Sequence, residues 1–328
     1  MQQPDLCLGF AVRPVARPEL RLPADPPHLS IALAHLRDML GYLKQIHVRF
    51  YRLPNLFGRR HSAAQQLADC RAELAHIAEL AAAQNLRFSM HLDHNLALAQ
   101  ADAAAAARSL AEIEAQASLL SSLAGKDQGN ARLVMHFGAP AGDQAGLERF
   151  LARYRSLSPE ARGRLCLEHD HHVSLGTLLR LHRYCGIPLI FDLLHWRLHN
   201  PEQLSLNLAL GLALATWPTT SRPEIHISSQ RTEAHLLPAR AGQPARVLAP
   251  RPGQHADFIN PADARELLAA ARGLPAFDMM LEAKAGDLAL LRLRRELVGD
   301  ASKKTLRLGE HAGTFAQPQR LFDSPVLQ

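Results

Sequence analysis

The sequence predicts an α/β fold, a single-domain (β/α)8 barrel, on two observations. Short apolar runs alternate with longer amphipathic segments along the whole chain. Eight such pairs run from Leu6 to Leu297, about 290 residues or roughly 36 per unit, slightly roomier than the usual barrel of about 250. A doubly wound open sheet shares this alternation, and periodicity alone does not separate the two.

The strand candidates, in order, are 6–12 (LCLGFAV), 46–53 (IHVRFYRL), 86–91 (LRFSMH), 132–137 (RLVMHF), 164–169 (RLCLEH), 187–192 (IPLIFD), 224–228 (EIHIS) and 277–282 (FDMMLE). Each is too short for a core helix and rich in residues that favour a pleated surface. The helix-like stretches are 30–44, 63–84, 96–124, 144–156, 174–185, 202–214, 261–271 and 286–297. Segment 229–260, rich in Pro, Arg and Gly, is the longest irregular piece, of the kind that serves as a functional lid or excursion. No composition shift divides the chain, so 1–299 is expected to form one domain and 300–328 a loosely ordered tail.

Composition narrows the function classes. Of 328 residues, 47% are hydrophobic and 21% charged, which excludes global disorder. The net charge of +6 mildly favours a polyanionic partner. Cys7, Cys70, Cys166 and Cys185 form no CxxC pair, against a zinc ribbon, a thioredoxin-like site or a disulfide framework. The start, MQQPDLCLGFAVRPV, carries no export signal, and no run of 18 apolar residues exists; a soluble, cytoplasmic protein without membrane contact is expected. The 18 histidines outnumber all Phe, Trp and Tyr together (11 + 2 + 4 = 17), which directs attention to where they fall.

They fall at strand ends. His91, His136, Glu168, Asp192, His226 and Glu282 close six consecutive strand candidates; His195 follows Asp192 by three residues, and His255 lies in the long loop after the seventh strand. In a barrel, the carboxyl ends of the strands converge on one mouth. So many imidazoles and carboxylates in one small volume are tolerable only if cations tie them together. Imidazole plus carboxylate without thiolate suits Mn²⁺, Zn²⁺, Fe²⁺ or Co²⁺. Eight ligands exceed the needs of one ion, so two or three ions are expected. Such clusters hydrolyse phosphate esters by lowering the pKa of a bound water and neutralising the scissile phosphate. Iron-dependent oxidation remains open on the same ligands, whereas a sugar isomerase on this fold normally needs fewer.

The runs FSMH (88–91), LVMHFG (133–138), LCLEHD (165–170), GIPLIFDLLHWRLHNP (186–201), RPEIHISSQ (222–230), RPGQHAD (251–257) and DMMLEAKAGDLALLRLR (278–294) resemble the UV damage endonuclease family. The similarity keeps one order over about 85–295; the FDxxH and MLEAK runs are specific together. The resemblance implies a TIM barrel with a manganese cluster. It also implies an enzyme, a metal-dependent phosphodiester hydrolase that nicks UV-damaged double-stranded DNA 5′ to pyrimidine dimers and 6-4 photoproducts. It makes His91, His136, Glu168, Asp192, His195, His226, His255 and Glu282 metal ligands, adds His61 as an earlier one, and gives Lys284 a phosphate contact. A monomer is expected. The alternative is a diverged relative acting on another phosphoester, or oxidising a small molecule or peptide with iron.

Three positions depart from the family. Glu224 stands where the family has a lysine, often carboxylated to bridge metals; its shorter carboxylate is expected to bridge instead, as metal ligand and catalytic group alongside Glu168 and Lys284, or else one ion site is lost. Leu92, Asp93, His94 and Asn95 replace a run whose polar and aromatic side chains wedge into damaged duplex. His169 and Asp170 replace Asn-Asp after Glu168, and His169, His171 and His172 are candidates to orient ligands. Arg59, Arg60, Arg231, Arg240, Arg246 and Arg251 would put positive charge around the mouth, suited to backbone phosphates.

Overall fold

Seven parallel strands, β1 (Leu6–Ala11), β2 (Phe50–Leu53), β3 (Arg87–His91), β4 (Arg132–His136), β5 (Leu165–Glu168), β6 (Leu189–Asp192) and β7 (Glu224–Ile227), join a last one, β10 (Phe277–Leu281), in a closed barrel. The order around it is β1-β10-β7-β6-β5-β4-β3-β2, every pairing parallel. Closure decides against the open sheet. This computed structural model describes residues 6–23, 25–124, 131–140, 142–239 and 244–299; the expected tail, 300–328, and Arg240 lie outside them.

The helices are α1 (Leu29–Gln45), α2 (Ala63–Asp69), α3 (Arg71–Ala83), α4 (Ala103–Ala124), α5 (Gln144–Ser156), α6 (Pro159–Arg164), α7 (Leu175–Cys185), α8 (Leu193–Leu198), α9 (Leu206–Ala215), α10 (Pro261–Ala270) and α11 (Gly286–Gly299). All eight expected strands are present. The expected helix 63–84 is two, broken at Cys70, whose φ −102° and ψ 20° are not helical. The helix expected from 96 begins at Ala103, and the one expected from 202 at Leu206, where Ser205 accepts a hydrogen bond from the Leu208 amide. Segment 229–260, read as irregular, contains an antiparallel hairpin, β8 (His235–Leu237) with β9 (Arg246–Leu248).

The pleat explains where the polar residues go. Leu133 and Met135, Leu165 and Leu167, Leu189 and Phe191, and Ile225 and Ile227 are buried in the main core. Alternate positions face the other way. Val134, Cys166 and Ile190 form a separate buried group with Trp217, and the next residue on the same face of each strand is His136, Glu168 and Asp192. An apolar floor thus lies one pleat repeat beneath the polar rim. Register completes the placement: His136 pairs with Glu168, and Asp192 with His226. No helix among the described residues is long and apolar enough to cross a membrane.

Candidate metal centre

Glu168 is the hub. It is 1% exposed at the end of β5, and its two oxygens face opposite groups. Oε2 lies 2.9 Å from His91 Nε2 and 3.9 Å from His136 Nε2. Oε1 lies 3.0 Å from His226 Nδ1 and 3.2 Å from His195 Nδ1. Ligand atoms of His91, His136 and Glu168 lie within 4.8 Å of one another, as do those of Glu168, Asp192, His226 and Glu282. The two groups, each able to hold a metal ion, share Glu168.

The chain after β6 shows how local sequence builds the second group. Asp192 is the N-cap of α8 and accepts from the His195 backbone amide through Oδ1 at 2.7 Å. That bond fixes the carboxylate and leaves Oδ2 buried without a hydrogen bond. The expected His195, three residues on, presents its ring at the same rim, with Nδ1 2.9 Å from the His169 carbonyl oxygen. His255, 3.7 Å from Glu282 Oε2, approaches from the long loop.

Three of the histidines carry a common signature. His91 Nδ1 is 2.7 Å from the Leu92 carbonyl oxygen, His136 Nδ1 3.4 Å from Asp170 Oδ2, and His226 Nε2 3.2 Å from Glu224 Oε1, while the other nitrogen of each ring faces Glu168. A ring whose outer nitrogen faces an oxygen acceptor is the arrangement that orients imidazole for metal binding. His136 Nδ1, Glu168 Oε1, Asp192 Oδ2 and His226 Nδ1 are buried and make no hydrogen bond of acceptable geometry. Most of these orphaned atoms converge where a cation would satisfy them, so the donor set fits divalent metal.

Electrostatics agrees. Burial opposes charge on Glu168, yet His226, His195 and His91 hold its carboxyl well below the usual carboxylate range. Burial also opposes protonated His226 and His195, but Glu168 beside the first and Asp192 beside the second outweigh it and push both up to about 10. Burial prevails at His136, pushed down to about 4, and at His169, pushed down to about 3. Neutral His169 accepts from the Asp192 amide through Nε2 at 3.1 Å. His171 and His172 pack on each other, 4.0 Å between centroids.

Glu224 departs from the bridging role expected of it. It lies on the opposite side of the His226 ring from Glu168, one pleat repeat deeper in the barrel, fully buried. Its oxygens receive Ser89 Oγ at 2.9 Å and Arg87 Nη2 at 3.4 Å, with Arg52 Nη2 at 3.7 Å. His61 is not brought to the centre either. Gln66 Nε2 donates to the carbonyls of Gly58 (2.7 Å) and His61 (2.9 Å), pinning this loop against α2, and the exposed His61 ring meets His28 edge-on, centroids 5.3 Å apart. Lys284 is exposed two residues after Glu282; its backbone amide donates to Ala256 O at 3.1 Å. Arg59 pairs with Asp25 at 3.1 Å.

Sequence reasoning missed Arg52, 5% exposed, which bonds Glu282 and touches His226 Nε2. Its signal was a cation inside the otherwise apolar FYRL run. Asp170 and His94, whose ring stacks on His136 at 4.8 Å and 14°, also border the site.

The profile of the family described as UV-endonuclease UvdE matches residues 29–309. The chain belongs to this family. A UV DNA damage endonuclease of Bacillus pumilus is 30% identical over 168 residues, 50% of this chain and 47% of the relative; one of Bacillus velezensis is 29% identical over 180 residues, 53% and 51%. The chain thus spans about half the length of these curated UvdE relatives. Among solved structures, SacUVDE superposes with a TM-score of 0.74 at 24% identity over 90% of this chain and 98% of that one. An L-ribulose 3-epimerase reaches 0.53 at 14% identity, over 93% and 100%. Both establish the barrel.

Proposed function

We propose that this UvdE chain is a metal-dependent endonuclease that nicks double-stranded DNA beside UV photoproducts. The observation that carries the reading is the pair of ligand groups sharing Glu168 at the mouth of the barrel. Divalent ions bound there, manganese first among the candidates, would supply the Lewis acidity that activates water and neutralises charge on a phosphodiester and its leaving oxygen.

The side chains do the rest. His91, His136 and Glu168 would hold one ion; Glu168, Asp192, His226 and Glu282 the other; His195 and His255 flank them from α8 and the long loop. Asp170, Glu224 and the carbonyls of Leu92 and His169 orient the imidazoles. Arg52 and Arg87 neutralise Glu224, so its role is to position His226. Lys284, exposed two residues after Glu282, would contact a phosphate.

The test is a duplex with a single pyrimidine dimer, incubated with the protein and Mn²⁺. A nick 5′ to the lesion that chelator abolishes supports the reading. Intact DNA with Mn²⁺, Zn²⁺, Co²⁺ and Fe²⁺ alike contradicts it, and tightly bound iron with redox cycling would point to an oxidative relative.

A further inference from the structure

The hairpin β8–β9 rises from the long loop beside the centre. Its limbs are zipped at the base: the Arg231 amide donates to Gln254 O (2.7 Å), the Ala256 amide to Ser229 O (2.8 Å), and Gln230 bridges to His255, the histidine facing Glu282. Further out, His235, Leu236 and Leu237 pair with Leu248, Val247 and Arg246. From Gln230 to Leu236 is six residues, a reach of at most about 20 Å in extended chain.

Among the described residues, nothing covers these strands. Leu236 is 66% and Val247 70% exposed, with Leu237 at 44% and Leu248 at 40%. Among the described residues, four of the ten exposed large hydrophobic side chains occupy these six positions, which sets the hairpin apart from the rest of the surface. A two-stranded ribbon without a partner is marginal in water, so such a face needs a function to explain it. Charge says which partner: between Gln230 and His255 the sequence carries four arginines, Arg231, Arg240, Arg246 and Arg251, against one acid, Glu233. Exposed apolar side chains among arginines, on a hairpin rooted at His255, match a base stack flanked by phosphates. The loop after β3 offers no such side chain: Leu92 is buried and His94 stacks on His136.

We propose that the hairpin is a duplex-opening wedge: Leu236 and Val247 enter the base stack at a disturbed step while Arg246 and Arg251 hold the flanking phosphates. The proposal rests on the nuclease reading for its substrate, but its test reads binding and base opening separately from cleavage. The full chain, wild type and Leu236→Thr/Val247→Thr, is titrated with a dimer-containing duplex that carries 2-aminopurine beside the lesion. Threonine keeps the β preference of the strands. Leu208→Thr, on α9, serves as a surface control.

The wild type and control are expected to bind and raise 2-aminopurine fluorescence. The hairpin variant is expected to bind at least about tenfold more weakly, without the rise, and to lose at least about tenfold more on the intact duplex than on a pre-opened bubble. Bound metal and Tm are expected to match the wild type. Equal losses on duplex and bubble, a fluorescence rise retained by the variant, no duplex binding by the wild type, or a wild-type dimer that the variant dissolves would each overturn the proposal. The last would make the hairpin a contact between copies. Binding with the fluorescence rise but no nick would leave the wedge standing and remove the nuclease reading.

Discussion

Glu224 Oε1 lies 3.2 Å from His226 Nε2, while Glu168 Oε1 lies 3.0 Å from the same ring's Nδ1, so the two carboxylates grip His226 from opposite sides. Arg52 Nη2 also approaches Nε2, at 2.5 Å. A proton on Nε2 excludes donation from Arg52 and frees Nδ1 for a cation; a proton on Nδ1 does the reverse. A cation among Glu168, Asp192 and Glu282 therefore selects the first arrangement, with Glu224 as acceptor. Glu224→Gln is expected to weaken metal affinity about 10- to 100-fold, the usual cost of removing an orienting group, while the ion count at saturation stays the same. Calorimetric titration with Mn²⁺ reads both; a lower saturating count would make Glu224 a ligand.

Metal and protons compete for the same atoms. In chelator, His226 and His195 have folded pKa values near 10, raised above the ordinary 6.5 by Glu168 and Asp192 despite burial. A raised folded value contributes stability that is full below the unfolded pKa and is lost as pH climbs through the folded one. The Tm contribution of these two groups in the chelated protein is expected to fall between about pH 6.5 and 10, while metal binding strengthens as the imidazoles shed protons. The gap between loaded and chelated Tm should therefore widen over that window. A constant gap in differential scanning calorimetry would refute this.

The turn after β4 sets how closely the β3 and β4 loops pack beside the centre. Gly138 has φ +78°, and a Cβ built there would stand 2.0 Å from Ala97 Cβ. Gly138→Ala is expected to cost about 1–3 kcal/mol, from the left-handed backbone and the clash together. Urea denaturation of the metal-loaded protein measures it; a loss below about 0.5 kcal/mol, within the range of ordinary surface changes, would contradict the argument.

Much of this was legible in the sequence, for identifiable reasons. The six candidates at strand ends stood out because each closes a short, largely apolar run, and His195 because it follows Asp192 by three residues in the FDxxH run. Short elements were not legible: α6 and α8 have six residues each, too few for a helical period, although Ser158 before Pro159 and Asp192 itself were capping signals. The hairpin strands, of three residues each, were hidden among Pro, Arg and Gly. Glu224 was read as a bridge because it stands where the family's bridging lysine does, and its place before His226 does not tell which side of the ring a carboxylate takes. The two arginines that claim it, Arg52 and Arg87, come from β2 and β3 and meet it only when the barrel closes.

The most direct test of the account is the number and place of bound ions. Elemental analysis and anomalous diffraction of Mn²⁺-loaded crystals are expected to find two ions per chain on either side of the Glu168 carboxylate, and Glu168→Gln to lose both and reduce nicking at least about a thousandfold, the equivalent of roughly 4 kcal/mol. A protein that binds no stoichiometric metal, holds its ions away from Glu168, or keeps both ions in the Gln variant would contradict it.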